Sequence, residues 1–520
     1  MTTCYIGIDL GTSGVKVVAV DPAGSVVASA SESFDFDRPR ADWAETPPRR
    51  WWDASAKATR ALMDKLGDEP NIASIGLSGQ MHGSVFLDAE ALEHAGARPI
   101  DALRPALMWN DQRTEPEREK VERMLGGRRA SVEASGCPTL CGLTAPKMLW
   151  LRTHEPETHA RVAGVCLPKD YIALALTGAF VTDVGDGSGT MLFDNERRDW
   201  NEHTLASLGI NRATLPDAVE SGTIVGEVTV WASEATGLPE GTPLAIGSGD
   251  NQAAAVGAGV VSPGEALAIL GTSGVVLAPS ETSEPDLNGD TPGRLNLFCD
   301  PTGRGATPGR WMLCGCMLSA AGSLEWARSV LAPNEPVEML VRGAGDIEPG
   351  CGGLVFLPYL SGERCPIPDP DARGAWIGLN RNHTRAHLVR AVLEGVSFGL
   401  AQITSIVEDI SGRPDRLRVT GGGAKSPLWR QILADATGLP VVGLKVDEGS
   451  ALGAAALGAF GVNAFVSVDE IAEKWVSLTE PTMPERSPKQ EAARRVYDRL
   501  YADLKPAFGA LAGVARGDVN

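Results

Sequence analysis

The sequence has no surplus of positive charge: 47 lysines and arginines against 66 aspartates and glutamates leave the 520-residue chain at −19. A chain of that sign repels phosphate backbones at long range, and paired arginines such as Arg128-Arg129 and Arg197-Arg198 are isolated from one another. Nucleic acid is therefore not an expected partner. The chain also lacks a G-x-x-x-x-G-K-[ST] segment, so any nucleotide site must be built without a P-loop. It has no basic leader followed by an apolar core, because Met1-Thr-Thr-Cys-Tyr5 runs directly into a strand pattern. Its one long apolar stretch, Ser450 to Val466, is dense in glycine and alanine and carries Asn463. That composition reads as a closely packed internal helix with a short trailing segment, not a membrane span. The expected location is cytoplasmic, with no membrane partner.

Nine cysteines (4, 137, 141, 166, 299, 314, 316, 351 and 365) are an odd count spread along the chain, which suits reduced, mostly buried thiols. Cys137, Cys141, His154 and His159 have the spacing of a zinc finger. The residues between them lack a ββα pattern and a basic face, so the spacing reads as coincidence.

With 43% apolar and 22% charged residues and no low-complexity segment, the chain reads as globular. Its length exceeds one core and favours two domains. Tyr5–Asp9 alternates as a strand, Gly11-Thr-Ser-Gly14 turns, and Val15–Val20 returns. The second half repeats this: Ala266–Leu270, the turn Gly271-Thr-Ser-Gly274, then Val275–Leu277. One tetrapeptide in the same strand–turn–strand context, about 260 residues apart, suggests a duplicated α/β architecture. The division is expected near residue 246, giving domains 1–246 and 247–520. Helices are expected at 51–66, 115–125, 168–176, 252–260, 427–436 and 449–458, and strands at 72–78, 85–87, 244–247 and 417–420.

The turns Gly11, Thr12, Ser13, Gly14 and Gly271, Thr272, Ser273, Gly274 offer backbone N–H groups and hydroxyls where bulky side chains are absent. They are either plain hairpins or, facing each other from two domains, a phosphate clamp. Asp9 ends the first strand. It either accepts bonds in its own turn or holds Mg²⁺ through water. Lys16, on the returning strand, could approach a phosphate or simply face solvent. Asp250 precedes a helix and is either its cap or a base taking a hydroxyl proton during phosphoryl transfer. A sugar site needs polar groups that count hydroxyls and an apolar wall. Gln80, His82, Asn110 and Asp111 could supply the first, Met81 and Trp109 the second. Gly421-Gly-Gly-Ala424 lets a flat base approach the backbone.

These residues resemble the FGGY carbohydrate kinases, and within them the xylulose kinases. One signature runs from Gly142-Leu-Thr-Ala-Pro-Lys147 to His154; the other is Gly374-Ala-Trp-Ile-Gly-Leu379 followed by His387-Leu-Val-Arg-Ala-Val-Leu-Glu394. Further matching stretches are Ile6–Lys16, Gly79–Gly83, Leu107–Asp111, Leu167–Tyr171, Gly189–Met191, Gly249–Asn251, Leu357–Arg364 and Gly421–Ala424.

The resemblance implies two actin-like ATPase (ribonuclease H-like) domains with ATP and Mg²⁺ in a catalytic cleft between them. It implies Asp250 as general base and Asp9 near the metal and phosphates, Met81, His82 and Asn251 at the ketose, and Gly422, Gly423 and Ala424 by the adenosine. The implied activity is phosphorylation of a small sugar at a terminal hydroxyl. Met81-His82 disfavours glycerol, and the pair together with Trp109-Asn110-Asp111 favours D-xylulose over gluconate. A homodimer is a candidate assembly by analogy with relatives. Cys365 stands where the family commonly has threonine, and Lys425 where arginine is common.

Overall fold

The computed structural model describes residues 3–67, 70–289 and 291–516. Two compact units emerge. The first comprises 1–262, 279–312 and 448–476; the second comprises 263–278, 313–447 and 477–520. The expected division at 246 falls inside a strand, Pro243–Gly249, and neither unit is continuous in sequence. The reason lies in the helix Ser450–Gly461. It lies on the first unit's sheet so closely that a Cβ on Gly7 would come within 2.0 Å of the Ala451 carbonyl oxygen, and one on Gly76 within 1.9 Å of that of Ala454. Glycine on two strands is what lets a helix backbone rest there. The apolar stretch is thus an internal helix.

The first unit is built on β1 (Thr3–Leu10), β2 (Gly14–Val20), β3 (Val26–Ser33), β4 (Asn71–Gly79), β5 (Ile224–Glu227) and β6 (Pro243–Gly249). They lie in the order β3-β2-β1-β4-β6-β5. β1 pairs antiparallel with β2 through the Gly11–Gly14 turn and parallel with β4, which pairs parallel with β6. The other face is covered by the helix Pro48–Leu66, whose prolyl first turn follows Pro47 and whose end is Gly67 at φ 78°. It buries Trp51, Trp52, Ala58 and Leu62 against Ile6, Ile8, Val15 and Val17. Apolar residues recurring at helical spacing on one side and at alternate strand positions on the other make this core.

The second unit is built on β7 (Glu265–Leu270), β8 (Gly274–Ser280), β9 (Trp311–Met317), β10 (Arg416–Thr420) and β11 (Val441–Gly443). They lie in the order β9-β8-β7-β10-β11. Again the hairpin strand pairs antiparallel through the Gly-Thr-Ser-Gly turn (β7 with β8) and parallel on its other side (β7 with β10). Five strands of each six-stranded sheet therefore share one order, β3-β2-β1-β4-β6 in the first and β9-β8-β7-β10-β11 in the second, and the repeated tetrapeptide marks the same corner of each.

The helix Arg385–Ser411 is, among the described residues, the one long and apolar enough by length and composition to cross a membrane, but 83% of its most apolar window is buried within the protein. That burial identifies a core helix.

Candidate active site

β1, β4 and β6 run parallel and end level: Asp9 lies opposite Ser78, Leu10 opposite Gly79, and Gly79 opposite Gly249. Ligands of open α/β sheets gather beyond the carboxyl ends of such strands. Three segments leave there: the Gly11–Gly14 turn, Gln80–Gly83, and the helix Asp250–Gly257. The topology thus brings together residues about 70 and 240 positions apart in sequence.

Asp9 accepts a hydrogen bond from Ser78 Oγ at 2.9 Å. Burial raises its carboxyl to about 6, although the Ser78 bond and the Lys16 charge pull the other way. Lys16, across the hairpin from Asp9, pairs with Glu448 at 2.5 Å, so its ammonium is already engaged. Asp250 opens its helix, where the N–H groups of Asn251 and of Asp250 itself favour the charged form. Burial, and then the neighbouring charge of Asp9, nonetheless push it up to about 7. Two buried carboxylates, one of which raises the other's cost of ionisation, are hard-oxygen donors that a divalent cation would relieve.

His82 sits at φ 66°, a conformation uncommon for a residue with a Cβ. Its Nδ1 lies 2.9 Å from the Gly189 carbonyl, and since a carbonyl only accepts, Nδ1 carries the proton. Its own carbonyl accepts from Lys147 Nζ at 2.8 Å and Thr144 Oγ1 at 3.3 Å. Lys147 also donates to Gly142 at 2.7 Å, and burial pushes its amine down to about 7. Met81 packs against Gly249, where a Cβ would meet its Cγ at 2.6 Å. Asn251 Nδ2 points at Met81 Sδ, 3.8 Å away. Trp109 donates its indole N–H to Thr12 Oγ1 at 2.9 Å. Asn110 Oδ1 is buried without a protein partner, which fits a group awaiting a ligand.

Two sequence-based assignments change. Asp111 is fully buried. Its carboxylate accepts from Ala44 N–H at 2.7 Å and pairs with buried Arg113 at 2.7 Å, so it is spent on structure instead of facing a sugar. Gln80 is only 1% exposed: its amide donates to the Gly11 carbonyl at 3.3 Å, against the turn and not on an open wall, while its Oε1, like Asn110 Oδ1, is buried without a protein partner. Three residues were not anticipated at all: Ser78, Lys147, and Lys169, which is buried between Asp170 at 2.6 Å and Asp183 at 2.8 Å. The signals available for Lys147 were its place in the Gly142–His154 signature and its position inside the otherwise apolar run Ala145–Leu151. Cys141 bonds Glu115 at 2.7 Å and His154 faces Glu117 at 3.2 Å. Among the described residues no group of three or more metal-ligating side chains forms.

In the second unit, the carbonyls of Gly271 and Thr272 accept from the N–H groups of Ala321 and Ala320, both at 2.8 Å. Ser273 and Gly274 complete the turn into β8. Ile269 lies opposite Thr420, so Gly421–Ala424 leaves the neighbouring parallel strand beside that turn. Gly421 has φ 91°, and a Cβ there would meet the Leu270 carbonyl at 2.8 Å. Gly423 is equally enclosed, since a Cβ there would lie 2.9 Å from Leu270 Cβ, whereas Gly422 has open space around it. Ala424 is buried, and the helix Pro427–Thr437 comes next with Ser426 as its cap. A surface made of backbone, with room at Gly422, suits the flat face of a base or ribose.

The fold and this site are those of a carbohydrate kinase. The FGGY family of carbohydrate kinases matches by its N-terminal domain over residues 4–257 and by its C-terminal domain over 266–462, and the chain belongs to that family. Family members use ATP.

Within it, the chain is 38% identical over 507 residues to the xylulose kinase of Escherichia coli (strain K12), covering 96% of this chain and 99% of that one. It is 34% identical over 509 residues to the xylulose kinase of Bacillus subtilis (strain 168), covering 97% and 98%. A crystal structure of a xyloylose kinase from Brucella ovis superimposes with a TM-score of 0.86 at 33% identity, covering 98% of this chain and 100% of that one.

Proposed function

We propose that the protein transfers the γ-phosphoryl group of ATP to the C5 hydroxyl of D-xylulose. The observation that carries the reading is the carboxylate of Asp250. It stands at a helix N-terminus, is raised to about 7, and lies on the segment that touches Met81 through Asn251. A base tuned to neutral pH beside polar and apolar sugar contacts suits abstraction of an alcohol proton. Asp250 takes the hydroxyl proton, the hydroxyl oxygen bonds to the γ-phosphorus, and the bond to the bridging oxygen breaks with its electron pair leaving on ADP. His82, held by Gly189 and by Lys147 through its carbonyl, and Asn110 orient the sugar, with Met81 and Trp109 as the apolar wall.

The Gly11–Gly14 turn supplies N–H groups and hydroxyls to phosphate oxygens, and in the second unit Gly271–Gly274 does the same. Gly422, Gly423 and Ala424 receive the adenosine. Mg²⁺, held through water by Asp9, would neutralise the developing charge when bound. Lys16 balances Glu448 and reaches phosphate only if that pair opens. The E. coli and B. subtilis relatives are named for xylulose, which selects this ketose. ADP release should be measured with D-xylulose, D-ribulose, L-ribulose, gluconate and glycerol. The highest kcat/KM is expected for D-xylulose, and a preference for any other acceptor overturns that choice.

A further inference from the structure

Three hydrogen bonds, one of them within the turn, tie down the backbone of the first phosphate turn. Gly11 N–H donates to Gly14 at 2.9 Å, Phe34 N–H to Ser13 at 3.0 Å, and Gln80 reaches Gly11 from below. What the backbone leaves open is the direction of the Thr12 hydroxyl. Trp109 settles it: an indole nitrogen only donates, so at 2.9 Å Thr12 Oγ1 must accept. The hydroxyl's own proton is then left to point elsewhere as a donor, which is the polarity that phosphoryl oxygens, themselves acceptors, require.

Trp109 is in turn fixed from behind. Gly142 approaches so closely that a Cβ there would lie 1.9 Å from the Trp109 carbonyl oxygen. Met108 N–H donates to the Ala44 carbonyl at 3.0 Å, while the Asp111 carboxylate holds the Ala44 N–H and the Arg113 guanidinium. The buried Asp111–Arg113 pair therefore sets where residues 108–110 stand.

We propose that Trp109 is a positioning residue for phosphoryl transfer: its N–H fixes the Thr12 hydroxyl as a phosphate donor, so that one hydrogen bond sets the sugar wall and the phosphate turn together. This rests on the kinase reading above. The coupling makes a specific demand on energetics. Removing either end of the bond should release the other, so the two losses should overlap instead of multiplying.

The test is a double-mutant cycle on the full chain with ATP, Mg²⁺ and D-xylulose. Trp109→Phe keeps a ring and loses the N–H; Thr12→Val keeps the shape and loses the hydroxyl. Each single variant is expected to lower kcat about tenfold, the scale of one lost transition-state hydrogen bond. The double variant should be within about threefold of the worse single one. Thr12→Ser, which keeps the hydroxyl, should recover most of the loss, and thermal unfolding shows whether each variant is folded. Losses that multiply, no recovery in Thr12→Ser, or a Trp109→Phe effect confined to the KM for D-xylulose would overturn the inference while leaving the kinase reading intact. Absence of ketose-dependent ADP formation by the unaltered protein would remove both.

Discussion

Replacing Asp250 by asparagine should slow the enzyme and stabilise the protein, two effects with one cause. An aspartate ordinarily titrates near 3.8, and here burial and Asp9 move it to about 7. Between those values the folded protein holds a proton that the unfolded chain has released, so stability falls as pH rises through the interval. Above it, the folded state carries the full cost of the charge. A displacement from 3.8 to about 7 would correspond to ~4 kcal/mol for a dry site. Asp250 keeps partial access to water, and screening brings this to about 1–2 kcal/mol. Asparagine carries no charge and still offers one oxygen to the helix N–H groups. Asp250→Asn should therefore raise Tm by about 1–3 °C at pH 8 in a chelator, with the gain reduced to less than half at pH 5. Its kcat should fall by roughly 10²–10⁴. Differential scanning calorimetry at the two pH values reads the first effect and ADP release the second. A variant melting at or below the unaltered protein at pH 8 would show that the charge at 250 is not held at a cost, and Asp250 would then not be a base tuned by burial.

On the proposed role, the same carboxyl should set the pH profile. Because a base must be deprotonated, kcat/KM for D-xylulose should fall about tenfold per pH unit below about 7, and a profile flat to pH 5 would contradict this. Gly189→Ala places a Cβ 2.8 Å from His82 Cε1. The displaced imidazole should raise the ketose KM at least about tenfold with ATP KM within about twofold, measured by steady-state kinetics. Asp111→Asn breaks a buried ion pair with Arg113 and should cost about 3–5 kcal/mol in urea unfolding. An unchanged urea midpoint together with a raised ketose KM would return Asp111 to the sugar.

Much of this was legible because it is local. The strand–turn–strand corners declare themselves through alternating apolar residues around Gly-Thr-Ser-Gly, and the helix Pro48–Leu66 through its proline start and apolar spacing. The strand ends were readable to within two residues from the glycines around short β-rich runs: expected at 9, 78 and 247, they fall at Leu10, Gly79 and Gly249. What stayed hidden depends on distant partners. Asp111 looks like a sugar ligand until Arg113 and Ala44 close around it, and Gln80 until the Gly11 turn covers it. Lys147 gives no local hint that its amine supports the backbone of His82, 65 residues earlier. The division at 246 missed because compactness depends on Ser450–Gly461 returning to β1 and β4, a contact over more than 370 residues that only Gly7 and Gly76 foreshadow. Cys365, which stands where the family commonly has threonine, is fully buried, which argues against easy attack by oxidants.

The most direct measurement is phosphorus NMR of the protein with equimolar ATP, Mg²⁺ and D-xylulose. Transfer to the C5 hydroxyl requires ADP and one new phosphomonoester in equal amounts, with coupling to the C5 protons of the sugar. ADP accompanied only by inorganic phosphate, or an ester on any other carbon, would contradict it.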